Sequence, residues 1–375
     1  MSLPAKVDRA LLTVDLMAIA ENTQLVRSRT AAEVMAVVKA NGFGHGAAEM
    51  ARTALRAGAT WLGVTCLDEA FALRRAHFTV RILSWLNGPG ADFEAAGRER
   101  IDVAVPDRAL LAEVAAADRD IAVHLHLDTG MNRGGAGREE WAELCAAARA
   151  AELAGRIRVV GVMSHLGRAD EPLAVDNVAS EVRFRAGVEV ARQAGLRPSV
   201  LHLAATAATL TNPATHFDLV RVGAGLVGID PTGGTRLRGA MTLTAPLIHV
   251  RRVEAGTPVG YGHTWRAPSD TTLGLIPLGY ADGLPRAASN RAEVWAYGGR
   301  RPVAGLISMD QTVIDLGDAA ASLGDPVIIL GPGDHGEPTV ADWARWASTI
   351  EHEIVTRIGR RIPRRTVEYE SQDVR

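Results

Sequence analysis

The chain has 375 residues, 47% of them hydrophobic, which is enough to fill more than one sizeable core. Its 41 Lys and Arg against 43 Asp and Glu leave a net charge of -2, so there is no basic field for nucleic acid or an anionic membrane. The two cysteines, Cys66 and Cys145, have no metal-ligand spacing, which argues against a disulfide framework and structural zinc and fits a reducing compartment.

In chain order, residues 1–8 carry charge and a proline but no apolar core of signal-peptide length, and no later run has the length of a membrane span. A cytoplasmic location is expected. From about residue 10 to about residue 230, short apolar and partly β-branched runs alternate with alanine- and arginine-rich stretches of helical period. Strands are predicted at 34–39, 61–65, 80–85, 101–105, 121–127, 159–165, 199–203 and 219–222. Helices are predicted between them at 47–57, 67–75, 108–117, 138–151, 175–194 and 204–210. Alternation implies parallel pairing through right-handed crossovers, and eight such units point to an α/β chain with a closed (β/α)8 barrel of TIM type. An open doubly wound sheet is the other architecture of this pattern.

After Pro231-Thr232-Gly233-Gly234 the runs become short and β-rich, at 243–253, 272–277, 291–295, 302–307 and 326–330, with one helix at 340–347. The expected domains are therefore a barrel over 10–235 and a mostly antiparallel β domain over 236–375, with residues 1–9 expected to pack with the latter.

In such a barrel the residues just past each strand share one rim, where barrel enzymes hold their chemistry. Lys39 closes the run Val34-Met35-Ala36-Val37-Val38 and opens the glycine-rich Ala40-Asn41-Gly42-Phe43-Gly44-His45-Gly46. The later strands deliver His126, Asp128 and Arg133, then His165, Thr206, and Arg221 followed by Gly223-Ala224-Gly225. Each has an ordinary structural explanation: a strand-capping lysine, a loop arginine, a core histidine, a rim ion pair. Their common address is what points to chemistry. A partly desolvated lysine is a nucleophile toward aldehydes, and a hydroxyl with glycine-flanked amides suits a phosphate. Pyridoxal 5'-phosphate combines both needs: Lys39 forms a Schiff base, while Thr206 and the Gly223 and Ala224 amides cradle the phosphate. Arg221 would donate to an unprotonated pyridine nitrogen, since guanidinium does not give up its proton near neutrality. The resulting shallow electron sink favours α-proton exchange, and hence racemisation, over transamination.

Racemisation needs a second proton donor on the face opposite Lys39. Tyr261, between glycines in Val259-Gly260-Tyr261-Gly262-His263-Thr264, is the candidate, although a tyrosine in such a turn is equally a surface packing group. Its ordinary pKa near 10 is high for a base, so nearby cations, His165 backed by Arg221, are expected to lower it.

With these residues in hand, the sequence resembles the alanine racemases, fold-type III pyridoxal phosphate enzymes, from Leu12 to Tyr369. The resemblance rests on Val37-Val38-Lys39-Ala40-Asn41-Gly42-Phe43-Gly44-His45-Gly46, Asp128-Thr129-Gly130-Met131-Asn132-Arg133, Ser164-His165 and Asp218-Leu219-Val220-Arg221-Val222-Gly223. It rests also on Tyr261-Gly262-His263-Thr264, Gly279-Tyr280-Ala281-Asp282-Gly283 and Ile307-Ser308-Met309-Asp310-Gln311. It implies a head-to-tail homodimer whose active sites each combine one barrel with the partner's β domain. It also implies that Lys39 holds the cofactor and acts as base toward the D-isomer, and that Tyr261 of the partner serves the L-isomer. Met309 of the partner offers its amide to the substrate carboxylate, Arg133 binds substrate, and Tyr280 narrows the entrance. The implied product is D-alanine for cell-wall peptidoglycan or a specialised pathway, with another small amino acid such as serine as the alternative substrate.

Several positions depart from the commonest family pattern. His126 stands where many members carry a lysine that is carbamylated and orients the arginine matching Arg133. Phe43 replaces a tyrosine that reaches the phosphate, a loss of about 1 kcal/mol. Arg360 falls where a tyrosine often buttresses the site, and remains suited to binding phosphate. Ala205 lacks an amide side chain often seen beside the cradle. None of these is a proton-transfer residue. Two rivals are weaker: a decarboxylase of related build would bring a cysteine from its second domain and an acidic partner for the ring nitrogen. A non-catalytic cofactor carrier would have no use for Tyr261 or Met309.

Overall fold

A computed structural model describes residues 6–117 and 119–368; residues 1–5, part of the segment expected to pack with the β domain, and Tyr369 lie outside them. The chain opens with β1 (Leu11–Asp15) and a helix, Leu16–Ser28. Eight strands follow: β2 (Glu33–Val37), β3 (Trp61–Val64), β4 (Arg81–Ser84), β5 (Asp102–Val105), β6 (Ile121–His126), β7 (Ile157–Met163), β8 (Val200–His202) and β9 (Leu219–Val222). They form one sheet in chain order, with β9 paired back onto β2 and the neighbouring strands parallel. Between β8 and β9 the Asp218 amide donates to the Leu201 carbonyl and the Arg221 amide to the Ala204 carbonyl, both at 3.0 Å. A parallel bridge joins Ala205 to Arg221. The sheet is thus a closed (β/α)8 barrel, as the alternation predicts.

The predicted helices are present, at Ala47–Arg56, Leu67–Arg75, Arg108–Ala116, Arg138–Leu153, Val175–Gln193 and Thr206–Thr211. Their starts follow local chemistry: the Asp107 carboxylate accepts the Leu110 N–H at 2.8 Å and caps Arg108–Ala116. A further helix, Phe93–Arg98, is too short for its period to show in sequence, and is capped by Asp92 accepting from Ala95. Strand β2 buries Val34 through Val37, the near-continuous apolar run of a strand covered on both faces.

The barrel interior departs from the usual apolar layers. His124 and His202 have no exposed surface. Gly161, the register partner of His124 on β7, makes room for the first of them: a Cβ there would lie 2.2 Å from His124 Nδ1.

The second unit comprises β10 (Met241–Pro246), β11 (His249–Val253), β12 (Pro258–Val259), β13 (Trp265–Arg266), β14 (Thr271–Ile276), β15 (Glu293–Ala296), β16 (Gly299–Pro302), β17 (Thr312–Asp315), β18 (Pro326–Leu330) and β19 (Arg364–Val367). A six-stranded sheet runs β16-β15-β18-β10-β1-β19, and β11-β14-β17 and β12-β13 form two smaller antiparallel sheets. The predicted helix Val340–Ala347 has a capping box in which Thr339 accepts from Asp342 N and Asp342 from Thr339 N. A second helix, Glu351–Arg357, follows.

Three sequence boundaries move. Residues 10–19 count with the β unit rather than the barrel, because β1 pairs antiparallel with β10 and parallel with β19. The compact units are accordingly 6–19, 43–45 and 238–368, and 20–42 and 46–237. The run 243–253 splits at Leu247 and Ile248, whose amides bond to Asp325 and Leu275 as the chain changes sheets. The run 302–307 is largely irregular: β16 ends at Pro302, Val303 makes a single bridge to Ile314, and the backbone turns at Gly305.

Replacing Gly161 by alanine should force His124 or the β6–β7 backbone to shift, costing about 1–3 kcal/mol. Denaturant midpoints of the two proteins measure this; equal midpoints would show that the close fit has no energetic weight.

Candidate active site

Strand β2 ends at Val37, so Lys39 stands just beyond the sheet at the carboxyl end of the barrel. From there the backbone runs left-handed through Ala40, Asn41, Gly42 and Phe43, with φ of 52°, 55°, 63° and 54°. Successive non-glycine residues in that region are strained and persist only where surroundings fix them. Here the Glu69 carboxylate accepts the Ala40 N–H at 2.7 Å and the Thr65 N–H at 2.9 Å. The Gly42 amide donates back to the Val38 carbonyl, and Asn41 accepts from Gly46 through its carbonyl and from Ala47 through its side chain. Glu69 is a site residue that sequence reasoning missed; its only signal was its place in the first turn of a predicted rim helix.

The Lys39 ammonium lies 5.9 Å from the centroid of the Trp85 ring, at the end of the predicted run 80–85. Burial lowers its pKa from the ordinary lysine value, and Arg133 and Arg221 lower it further while Glu69 opposes them. A lysine held this way gives up its proton more readily than one in water.

Arg221, on β9, is buried. One guanidinium nitrogen donates to His202 Nδ1 at 3.1 Å and to the His202 carbonyl at 3.0 Å. The other reaches the Ser164 carbonyl at 2.7 Å, the Leu203 carbonyl at 3.2 Å and His165 Nδ1 at 3.2 Å. Burial lowers Arg221 to about 10, which still leaves it charged near neutral pH. Burial and Arg221 push His165 down to about 3, so this imidazole is neutral. His165 therefore supplies no positive charge to depress a phenol, and that part of the sequence reading is corrected: its charge is suppressed by burial and by the arginine that was expected to back it.

Thr206 begins the helix Thr206–Thr211, and its hydroxyl accepts the Gly225 amide at 3.2 Å, joining it to the Gly223-Ala224-Gly225 turn after β9. Ala205 precedes it without a side-chain cap. Arg133 is exposed on a loop that Asp128 steadies by accepting the Gly130 and Met131 amides. The Thr129 hydroxyl meets Ser164 Oγ at 2.8 Å, and Ser180 and Arg183 donate to the Thr129 carbonyl. Burial and Arg221 lower His126 to about 4, against the pull of Asp128, so it too is neutral. Lys39, Arg133, His126, His165, Thr206, Arg221, Gly223 and Ala224 all belong to the barrel unit.

Tyr261, Tyr280, Met309 and Arg360 belong to the β unit. Tyr261 sits in a one-turn 3-10 helix entered at Gly260 with φ 71° and is 72% exposed. Asn290 ties this turn to the next by donating to Thr264 Oγ1 and accepting from the Gly305 amide. The Tyr280 and Ala281 amides donate to the Ser308 and Met309 carbonyls, each at 3.0 Å, so Tyr280 and Met309 ride on zippered loops. Arg361 pairs with both Asp282 and Asp310 across that zipper. Met309 is 54% and Tyr280 38% exposed; Arg360 is exposed and Phe43 buried.

The barrel donor set suits a phosphorylated aldehyde: a lysine of depressed pKa, a buried guanidinium, and a hydroxyl joined to a glycine-rich turn. Among the described residues, no group of three or more His, Cys, Asp or Glu lies close enough to hold a metal ion, and no helix is long and apolar enough to cross a membrane.

Comparison with known proteins gives the same reading. Residues 14–231 match the family model described as alanine racemase, N-terminal domain, and residues 240–366 the one described as alanine racemase, C-terminal domain. The alanine racemase of Frankia casuarinae is 48% identical over 371 residues, covering 96% of this chain and 96% of that one. The crystal structure of alanine racemase from D-cycloserine producing Streptomyces lavendulae superposes with a TM-score of 0.94 at 44% identity, covering 98% of this chain and 99% of that one. The alanine racemase of Bartonella henselae with covalently bound pyridoxal phosphate has a TM-score of 0.87 at 27% identity, covering 96% of this chain and 100% of that one.

Five histidines are lowered, His124, His126, His165, His202 and His216, and they fix the sign of a pH effect. All lie below the ordinary value in the folded chain, with burial the largest cause, whereas unfolding returns them to about 6.5. The unfolded chain then binds more protons, so stability holds above about pH 6.5 and is lost as pH falls toward the folded values. Denaturant midpoints should fall between about pH 7.5 and pH 5, and a flat profile would show that these rings are not buried neutral.

Proposed function

The chain belongs to the alanine racemase family, and we propose that it interconverts L- and D-alanine with pyridoxal phosphate, as a homodimer, supplying D-alanine for peptidoglycan. The observation that carries this reading is Lys39 at the barrel rim, partly buried and within the field of Arg133 and Arg221, with Arg221 itself bonded in the barrel core. Bound pyridoxal phosphate would supply an electron sink that acidifies the α-proton of an amino acid. Lys39 would hold the cofactor and exchange a proton on one face of the α-carbon. Thr206, the Gly223 and Ala224 amides and Arg360 would hold the phosphate. Arg221 would donate to the ring nitrogen; having no proton to surrender, it would keep the ring unprotonated and the sink shallow. His165, neutral, would stay beside the ring without adding charge.

Tyr261 of a second copy would exchange the proton on the opposite face. Its exposure, with that of Tyr280 and Met309, supports this assignment: three large side chains on linked loops present an apolar surface that a second copy would cover. Met309 would offer its amide to the substrate carboxylate, Arg133 would bind the substrate, and Tyr280 would narrow the entrance. With two bases on opposite faces, each enantiomer meets a base aligned with its own α-proton.

A chiral product assay across a panel of L-amino acids should give D-alanine as the main product; carbon dioxide release or no product would overturn the reading. Lys39→Ala should remove the visible absorption of lysine-bound cofactor and the turnover together. Tyr261→Phe in deuterated water should slow α-hydrogen exchange from L-alanine by about a hundred- to ten-thousandfold while D-alanine still exchanges. Unchanged exchange from L-alanine would show that another group serves that face.

A further inference from the structure

The barrel interior holds a connected polar thread that the proposed chemistry does not use. Arg221 donates to His202 Nδ1, His202 Nε2 lies 2.9 Å from His124 Nδ1, and His124 Nε2 lies 3.2 Å from Asp102 Oδ2. The same Asp102 oxygen accepts from Arg81 at 2.6 Å. Arg81 lies with its guanidinium carbon 3.8 Å from the Trp61 ring centroid, its side chain 42% exposed, while Trp61 donates to Glu33 at 2.9 Å. Arg81 and Asp102 are the first residues of β4 and β5, whereas His202 ends β8 and Arg221 lies near the end of β9. The thread therefore runs the length of the barrel, from the face opposite the rim up to the site.

Its direction is fixed by elementary valence. A guanidinium has donors only, so His202 Nδ1 must accept and its proton sits on Nε2. That proton points at His124 Nδ1, which accepts, placing the proton of His124 on Nε2 toward Asp102. Both rings are neutral: burial lowers His124 and His202 alike. Burial alone would raise the Asp102 carboxyl, yet the His124 bond and Arg81 outweigh it and hold the group ionised. Every bond is thus polarised one way, from Arg221 down to a carboxylate.

A buried guanidinium without a compensating charge is costly. The Arg221 guanidinium donates to three carbonyls and two imidazole nitrogens, none of them a carboxylate. We infer that Asp102 is the counter-charge of Arg221, reached through two oriented imidazoles, and that Asp102 and Arg81 are positioning residues for the cofactor-facing donor at the opposite end of the barrel. The structural part stands on the bonds above; its consequence for the cofactor rests on the role proposed for Arg221.

Asp102→Asn is the decisive change because it is isosteric and removes the negative charge on which the whole thread converges. Turned with its oxygen where Oδ2 stands, the amide still accepts from His124 and Arg81 but offers Arg221 no counter-charge. Turned the other way, it donates to His124, reverses both tautomers, and sets an N–H of His202 against an N–H of Arg221. In full-length protein carrying 15N-histidine, two slowly exchanging imidazole protons are expected, both bonded to Nε2, and each assigned by its loss in His124→Gln or His202→Gln. Asp102→Asn should shift or abolish both signals, including that of His202, which does not touch residue 102. Pyridoxal 5'-phosphate titrated into cofactor-stripped protein should then bind about ten- to a hundredfold more weakly. Arg81→Met, at a half-exposed position, gives a second route: the His124 proton should move downfield as the carboxylate draws on it alone, with both tautomers kept. A proton on Nδ1 of either ring in the unaltered protein would overturn the inference, as would a His202 signal indifferent to both substitutions. Signals that respond as expected while cofactor affinity stays unchanged would leave the thread standing and remove the role given to Arg221.

Discussion

A guanidinium in the middle of a barrel has to be bonded on every side that water cannot reach, and much of this site follows from that requirement. Arg221 draws the carbonyls of Ser164, His202 and Leu203 to itself, which fixes the ends of β7 and β8. It also acts on its neighbours: burial first, and then this positive charge at 3.2 Å, keep His165 neutral, and the same two causes help lower Lys39. One charge thereby bears on the protonation of two groups on the rim. Removing it would change both at once, so single-residue effects around it are not additive.

Lysine placement follows a second constraint, the left-handed course of the chain after β2. A regular continuation would carry Lys39 into a helix or another strand; four residues of positive φ instead reverse the backbone within one turn. Glu69 holds the first of these residues and the end of β3 with its two oxygens, so a carboxylate near the lysine serves the backbone and tempers the cationic field together. Gly44, where a Cβ would sit 2.4 Å from the Val355 carbonyl, admits no side chain, which explains why this loop needs glycine at that point.

The parts of this architecture legible in the sequence are those set by local pattern. Parallel strands covered on both faces leave continuous apolar runs, and all eight barrel strands were visible for that reason. The rim residues were visible because they follow those runs directly. What was not legible depends on partners far away in the chain. Strand β1 is five residues long and is fixed by β10 and β19, more than 200 residues away. Glu69 looked like any first-turn acid until its two acceptors were seen at work. His165 looked like a cation because sequence shows which residues are near in order, not that a buried arginine touches the ring. Asp102 and Arg81 looked like strand-end charges because the interior of a barrel is not visible from its strands one at a time.

Arg364 bonds the carbonyls of Gly44, Ile358, Gly359 and Ile362, and β1 is flanked by a strand that ends at Val367. Residues 320 positions apart are thus tied to one another. Until the later segment docks, one edge of β1 keeps its backbone groups unpaired, an open template for other chains and a foothold for chaperones.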